Sequence, residues 1–366
     1  METQGASGFV NAMLRKITPD DYEKLFNIED KKEKISKTQS MPMWIIDELL
    51  ENNTIEEVEE ICKNLNEKPE LIIRINKLKT TKQELICRLK EKCIDIEEVN
   101  IKLNLNNKCT KEDIEQKQLI EKYEKQLKEN FLIIKNVKNI ENMEEFKQGL
   151  FTVQDTSAGL TAIILEPKEN ETILDACSAP GGKTTYIAEL MNNKGKIYAW
   201  DIYPHRIKLI EENCKRLGIT IVETQIQDAS ESIKNNCQTN PAPMAILPKK
   251  TAPSGIEFDK ILLDVPCLGI GVIKRKPDIK WQRKKEDVKE ITDLQYKILE
   301  NCANYLKDNG VLVYSTCSIL KEENEDIIRK FLQNNPKFII EEEIKIKPTK
   351  KTDGFYICKI KNINKQ

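Results

Sequence analysis

Thr172-Ile173-Leu174-Asp175-Ala176-Cys177-Ser178-Ala179-Pro180-Gly181-Gly182-Lys183-Thr184 decides the fold. The run 172–176 is apolar and ends on an acid, which reads as a buried strand. A loop of small residues follows, and then a helix through Leu190. Strand–loop–helix in this order is one step of a wound α/β sheet. The chain beyond it repeats the step. Strands are expected at 196–200, 219–224, 258–263 and 311–315, with helices at 204–217 and 285–306. The alternation argues a parallel, doubly wound sheet. Residues 229–257, with four prolines between 241 and 253, interrupt it and read as a mobile surface insertion.

The loop 177–183 admits three ligand readings. Gly182-Lys183-Thr184 matches the end of a P-loop, but Cys177 stands where that motif needs glycine, and Pro180 removes a phosphate-binding N–H. The G-x-G-x-x-G spacing of a dinucleotide site is absent. An S-adenosylmethionine (SAM) site needs a close-approach loop, one cation and acids at strand ends. Cys177, Ser178, Ala179, Pro180, Gly181, Gly182 and Lys183 supply the first two. Asp201, Asp228 and Asp264 close successive strands, at positions suited to the ribose, the adenine amine and the methionyl end. Arg206, just beyond Asp201, joins this cofactor set. A single strand-end acid is more often a helix cap; three with the loop favour SAM.

Two cysteines lie in matching settings. Cys267 closes Ile261-Leu262-Leu263-Asp264-Val265-Pro266-Cys267, and Cys317 closes Val311-Leu312-Val313-Tyr314-Ser315-Thr316-Cys317. Each follows a strand's carboxyl end, where open α/β sheets place ligands. Two thiols at one sheet edge suggest covalent chemistry. The commoner fate of a free thiol is inert burial. That is the expectation for Cys62, Cys87, Cys93, Cys109, Cys214, Cys302 and Cys358.

The remaining numbers set bounds. The chain has 366 residues, with 59 Lys+Arg against 60 Asp+Glu, so net charge argues no polyanion partner. Its 11 cysteines form no C-x-x-C pair and there is one histidine, so no metal is expected. Free thiols fit a cytoplasmic protein, and no apolar run approaches a membrane span. Lys274, Arg275, Lys276, Lys280 and Arg283, around Trp281, form a basic segment with an aromatic inside it, suited to RNA phosphates and base stacking. Residues 1–66 read as helical, with a capping box at Thr54–Glu57. Residues 67–150 read as a lysine-rich α+β unit with strands at 71–76 and 131–135 and a helix at 81–92. Residues 151–366 then form the catalytic domain.

At these residues the chain resembles the SAM-dependent RNA cytosine-C5 methyltransferases of the NOL1/NOP2/Sun (RsmB/NOP) family. The resemblance rests on Asp175 to Lys183, Asp264-Val265-Pro266-Cys267, Gly269 to Trp281, Thr316-Cys317-Ser318-Ile319 and Asp353-Gly354-Phe355-Tyr356. It implies a class I methyltransferase domain behind an RRM-like unit. Gly8 to Arg15 resembles the end of a NusB-like RNA-binding domain, found in the branch that methylates 16S ribosomal RNA, so residues 1–66 are expected to be its helical remnant. The implied reaction is 5-methylcytosine formation through a cysteine adduct at C6. DNA enzymes of this chemistry attack with the Pro-Cys cysteine, which nominates Cys267. The RNA family attacks with the Thr-Cys cysteine, which nominates Cys317 and leaves Cys267 to assist release. Asp264 is expected at the cytosine edge and Lys183 beside the thiols. Val265 and Leu268 replace the family's usual Ala and Ser. A monomer acting on 16S rRNA is expected; a tRNA enzyme, an inactive RNA-binding scaffold and a P-loop ATPase are the alternatives.

Overall fold

The computed structural model describes residues 6–103, 112–232 and 255–363. The insertion expected at 229–257 and Cys109 lie largely or wholly outside them. Five short helices open the chain: α1 (Ala6–Leu14), α2 (Pro19–Phe26), α3 (Lys31–Thr38), α4 (Met43–Leu50) and α5 (Ile55–Asn66). The expected capping box starts α5. The Thr54 hydroxyl accepts from Glu57 N (3.2 Å) and the Glu57 carboxylate accepts from Thr54 N (2.9 Å).

A small sheet follows, built from β1 (Leu71–Ile75), α6 (Lys82–Glu91), β2 (Asp95–Glu98), α7 (Glu112–Asn130), β3 (Phe131–Lys135), α8 (Glu144–Lys147) and β4 (Phe151–Val153). Its strands are antiparallel in the order β2-β3-β1-β4. Two of them escaped the sequence reading. Asp95-Ile96-Glu97-Glu98 is a charged edge strand whose composition hides it. Phe151–Val153 pairs with Ile73–Ile75, so the small sheet runs three residues past the expected boundary at 150.

The large sheet has seven strands. After α9 (Thr156–Leu165) come β5 (Thr172–Asp175), α10 (Gly182–Leu190), β6 (Lys196–Asp201), α11 (Pro204–Leu217), β7 (Val222–Ile226) and β8 (Phe258–Asp264). Then follow α12 (Ile279–Gln282), α13 (Asp287–Ala303), β9 (Leu306–Thr316), α14 (Glu325–Asn334), β10 (Phe338–Ile346) and β11 (Phe355–Asn362). The order is β10-β11-β9-β8-β5-β6-β7. Strands β5 to β9 run parallel and β11 enters antiparallel beside β9. This is the class I methyltransferase sheet. Helices α7, α9, α10 and α11 cover one face and α13 and α14 the other, each over its own apolar cluster.

Two boundaries moved for local reasons. Strand β7 starts at Val222 because Gly218 (φ 77°) ends α11 in a left-handed turn, and Ile219 N bonds back to Cys214 O (2.9 Å). Strand β9 starts at Leu306, because Leu306 pairs with Phe258 ahead of an irregularity around the polar Lys307-Asp308-Asn309. The winding direction reverses between β5 and β8. The carboxyl ends of those neighbours are the switch point at which such sheets bind ligands.

Candidate active site

The loop after β5 turns through a cis Ala179–Pro180 bond and a left-handed Gly181 (φ 96°) into α10. A Cβ on Gly181 would stand 3.2 Å from the Ile210 backbone, so the position suits glycine in both conformation and space. Ser178 fastens the loop to β6, donating from both N (2.9 Å) and Oγ (2.8 Å) to Trp200 O. Asp201 ends β6, accepts from Tyr203 N (3.0 Å) and has Arg206 at 3.4 Å. Asp228 lies past β7 and accepts from Ser230 N and Oγ. Loop, Asp201 and Asp228 therefore line one edge, as a SAM site requires. Exposed Ile202 and Tyr203 add an apolar surface beside Asp201 that sequence reading missed; their signal was two apolar residues directly after a strand-end acid.

The next two strands carry the reactive groups. Asp264, the last residue of β8, accepts from Lys183 Nζ (2.6 Å) at one oxygen and from Ser315 Oγ of β9 (2.9 Å) at the other. Burial works against the Lys183 ammonium, but Asp264 outweighs it and leaves the pKa raised. The lysine also lies 5.2 Å over the Phe355 ring. Lys183 is thus committed to a carboxylate, not presented as a P-loop cation. Cys267 and Cys317 stand with their sulfurs 3.0 Å apart, half-buried. The hydrogen bond to Cys317, together with burial, pushes the Cys267 thiol well above the ordinary range, so Cys267 holds its proton. The helix that follows Cys317 begins at Glu325. Its cap Asn324 is spent on the Thr316 hydroxyl (2.5 Å) and Ser318 O (3.1 Å).

Both cysteine loops hang on one buried carboxylate absent from the sequence reading. Glu323 accepts from Leu268 N (2.9 Å), just past Cys267, from the Ser318 hydroxyl, just past Cys317, and from Gln295 Nε2 (3.0 Å). Its position outside any strand-end motif gave no signal. Val265 and Leu268 are buried in apolar clusters, so their bulk fills the core. Helices α3, α4 and α5 share a core with Leu268, Ile270, Ile273 and Leu320, and so brace the same loops.

Gly271 N donates to Cys317 O (3.0 Å), and Gly354 N to Gly271 O (2.9 Å). A Cβ on Gly271 would lie 2.1 Å from Gly354 O and 2.9 Å from Cys317 O. Gly271→Ala must therefore displace the backbone that carries the thiol. Its expected effect is a loss of about 10²-fold in single-turnover rate, the cost of a misplacement near 1 Å. SAM affinity, measured by titration, should be unchanged.

The basic segment divides. Lys274 is buried against Thr349 O, Thr352 O and Asp353. Arg275 bridges Asp155 (2.8 Å) and Asp353 (2.6 Å). Lys280 donates to Asn66 of α5. Those three, expected at RNA, are internal ties, because carboxylates and carbonyls from distant segments converge on them. Lys276 and Arg283 are exposed, and Trp281, at 66% exposure, stands outside the core. Of the cysteines expected to be inert, Cys62, Cys214, Cys302 and Cys358 are buried. Cys87 and Cys93 are exposed, on or just past α6, where lysine-rich neighbours leave one face in solvent. Cys177, expected beside SAM, is half-buried against the β6–β8 core.

Asp175, at the end of β5, accepts from the Thr184 hydroxyl (2.7 Å). Burial is the main reason its pKa rises to about 7. An acid whose folded pKa is raised adds stability below its unfolded value, 3.8. That stability is lost as pH climbs through 7. Asp175→Asn should therefore gain on the parent chain between pH 4 and pH 7, by up to about 4 kcal/mol, and level off above. Denaturant midpoints across pH measure this.

The comparisons with known proteins agree with the geometry. A family model described as 16S rRNA methyltransferase RsmB/F matches residues 162–361. A second model, the ferredoxin-like domain of RsmF/B-like methyltransferases, matches residues 41–110 and so begins inside the helical segment. A probable ribosomal RNA small subunit methyltransferase B of Bacillus subtilis is 32% identical, over 98% of this chain and 74% of its own. A ribosomal RNA small subunit methyltransferase B of Pasteurella multocida is 31% identical, over 97% and 72%. Among solved structures, a methyltransferase homolog protein from Pyrococcus horikoshii aligns with TM-score 0.70 at 26% identity, over 92% of this chain and all of its own. NSun6 from the same organism, crystallised with the SAM analogue SFG, shares the fold with TM-score 0.65 at 24% identity, over 92% and 98%.

Proposed function

The chain belongs to the RsmB/F family of SAM-dependent 16S rRNA methyltransferases, and on that premise we propose that it forms 5-methylcytosine in 16S ribosomal RNA with Cys317 as nucleophile and Cys267 as the partner in release. The observation that carries this is the thiol pair, 3.0 Å apart at the sheet edge beside the Lys183–Asp264 pair. Carbon 5 of cytosine is a poor nucleophile, and addition of a thiolate to carbon 6 makes it enamine-like. Burial and the hydrogen bond to Cys317 keep the proton on Cys267, which leaves that thiol available as a donor beside Cys317. SAM supplies a methyl carbon activated on a sulfonium. Asp264, paired with an ammonium, suits acceptance from the cytosine exocyclic amine better than donation to N3. Release passes the carbon-5 proton to solvent water, the C5–H pair re-forms the C5=C6 bond, and the C6–S pair leaves on the Cys317 sulfur, which the Cys267 thiol steadies by a hydrogen bond.

The loop 177–183, Asp201, Arg206 and Asp228 hold SAM in this reading. Lys276, Arg283 and Trp281 meet RNA near the thiols, with the base turned out of its stack to reach them. Gly8 to Arg15, largely in α1, supports a NusB-like RNA-binding segment, while α4 and α5 fall within the span of the ferredoxin-like match, and the protein works as a cytoplasmic monomer without a metal. Among the described residues no helix is long and apolar enough to cross a membrane. The test is transfer of labelled methyl from SAM to unmodified 16S rRNA and to tRNA. The expected result is label recovered as 5-methylcytosine from 16S rRNA. Label in tRNA alone would replace the substrate, and RNA binding without transfer would leave an inactive scaffold.

A further inference from the structure

Arg74 is the largest buried cation that the chemistry above leaves unused. It stands on β1 of the small sheet, fully buried, and its guanidinium crosses into the catalytic domain. Nε and Nη2 grip the Glu189 carboxylate at 3.2 and 2.7 Å. Nη1 donates to Gly182 O (2.7 Å) and to Gln154. Nη2 also donates to the Thr185 hydroxyl (3.1 Å), which itself donates to Gly181 O (2.8 Å). The Tyr186 ring lies 4.6 Å from the guanidinium carbon. One side chain thus holds the far end of α10 through Glu189. It also fixes the carbonyls of both loop glycines, Gly182 directly and Gly181 through Thr185.

A buried ion pair is a poor device for merely joining two units, since well-packed apolar residues of similar volume serve as well or better. An apolar pair cannot orient two peptide groups, whereas the planar guanidinium fork can. Gly181 and Gly182 sit where the loop approaches its ligand, and their carbonyls set the direction of the neighbouring N–H groups. We infer that Arg74 is a positioning residue of the SAM site, by which the small N-terminal sheet sets the shape of the cofactor loop. This rests on the SAM reading and adds to it a residue from outside the catalytic domain.

Two substitutions separate positioning from simple support. Arg74→Lys keeps a charge for Glu189 and gives up the fork. Glu189→Gln keeps the fork on Gly182 and Thr185 and gives up the ion pair. SAM binding by isothermal titration and Tm by calorimetry are measured on the full chain, with KM and kcat for SAM alongside. Arg74→Lys should raise the SAM Kd and KM about tenfold, the loss expected for a charged hydrogen bond, with kcat at saturating SAM within about twofold. Glu189→Gln should lower Tm further while leaving Kd within about twofold of the parent. Parental SAM affinity in Arg74→Lys, or equal losses of affinity in both variants, overturns the inference. If Arg74→Lys does not fold, Thr185→Val carries the test. It breaks the link to Gly181 and should weaken SAM binding about threefold; unchanged binding overturns the inference. A parent chain that binds no SAM overturns the underlying reading and this inference with it.

Discussion

Cys317→Ala should lose methyl transfer by roughly 10⁴-fold or more, the scale seen when a covalent nucleophile is removed. Without the sulfur, carbon 5 stays aromatic and electron-poor, and the thiol beside it, Cys267, is a poor substitute. Cys267 is 3.0 Å away but holds its proton, because the hydrogen bond within the pair and its burial both disfavour the thiolate. The deletion also removes the Cys267 hydrogen-bond partner, so residual activity from a rescued Cys267 should rise with pH. SAM binding should persist, because the loop 177–183 and Asp201 are built by β5 and β6, independently of the loop after β9. Single-turnover assays with labelled SAM, with a parallel titration of SAM binding, separate loss of chemistry from loss of fold.

Cys267→Ala should do something different and equally large. Attack by Cys317 and methylation proceed, but the departing sulfur lacks its donor and the adduct accumulates. The readout is a protein–RNA species that survives denaturing electrophoresis and appears only when RNA is supplied. Its yield should approach one RNA per protein while turnover stops. The contrast between the two alanines is informative because the thiols are so close. A general loss of site structure would give two similar inactive proteins, and an asymmetric chemistry gives one inert variant and one trapped variant.

Much of this was legible in the residues. The apolar runs ending at Asp175, Asp201 and Asp264 placed the parallel strands, because strands buried on both faces read as continuous apolar segments. The thiols and Asp264 were legible for the same reason, each fixed at a strand end. What the sequence hid was convergence from distant segments. Glu323 bears on both cysteine loops, and Arg74 bears on a loop more than a hundred residues away. Glu323 lies in no strand pattern, and Arg74 shows in the sequence only as a cation within the apolar strand expected at 71–76, with nothing there to say what it binds. Lys274, Arg275 and Lys280 show the reverse error. A run of basic residues reads as a solvent-facing surface, yet Asp155, Asp353 and Asn66, far off in sequence, fold back onto it and draw three of its cations inside. The charged edge strand Asp95–Glu98 was hidden by composition, since an edge strand need not be apolar.

The central claim is that the sulfur of residue 317 bonds to carbon 6 of a cytosine during turnover. The direct test is peptide mapping by mass spectrometry of the adduct trapped in Cys267→Ala. The account predicts a cytosine nucleotide, methylated at carbon 5, attached to the peptide that contains Cys317. Attachment to any other residue, or full methyl transfer by Cys317→Ala, would contradict it.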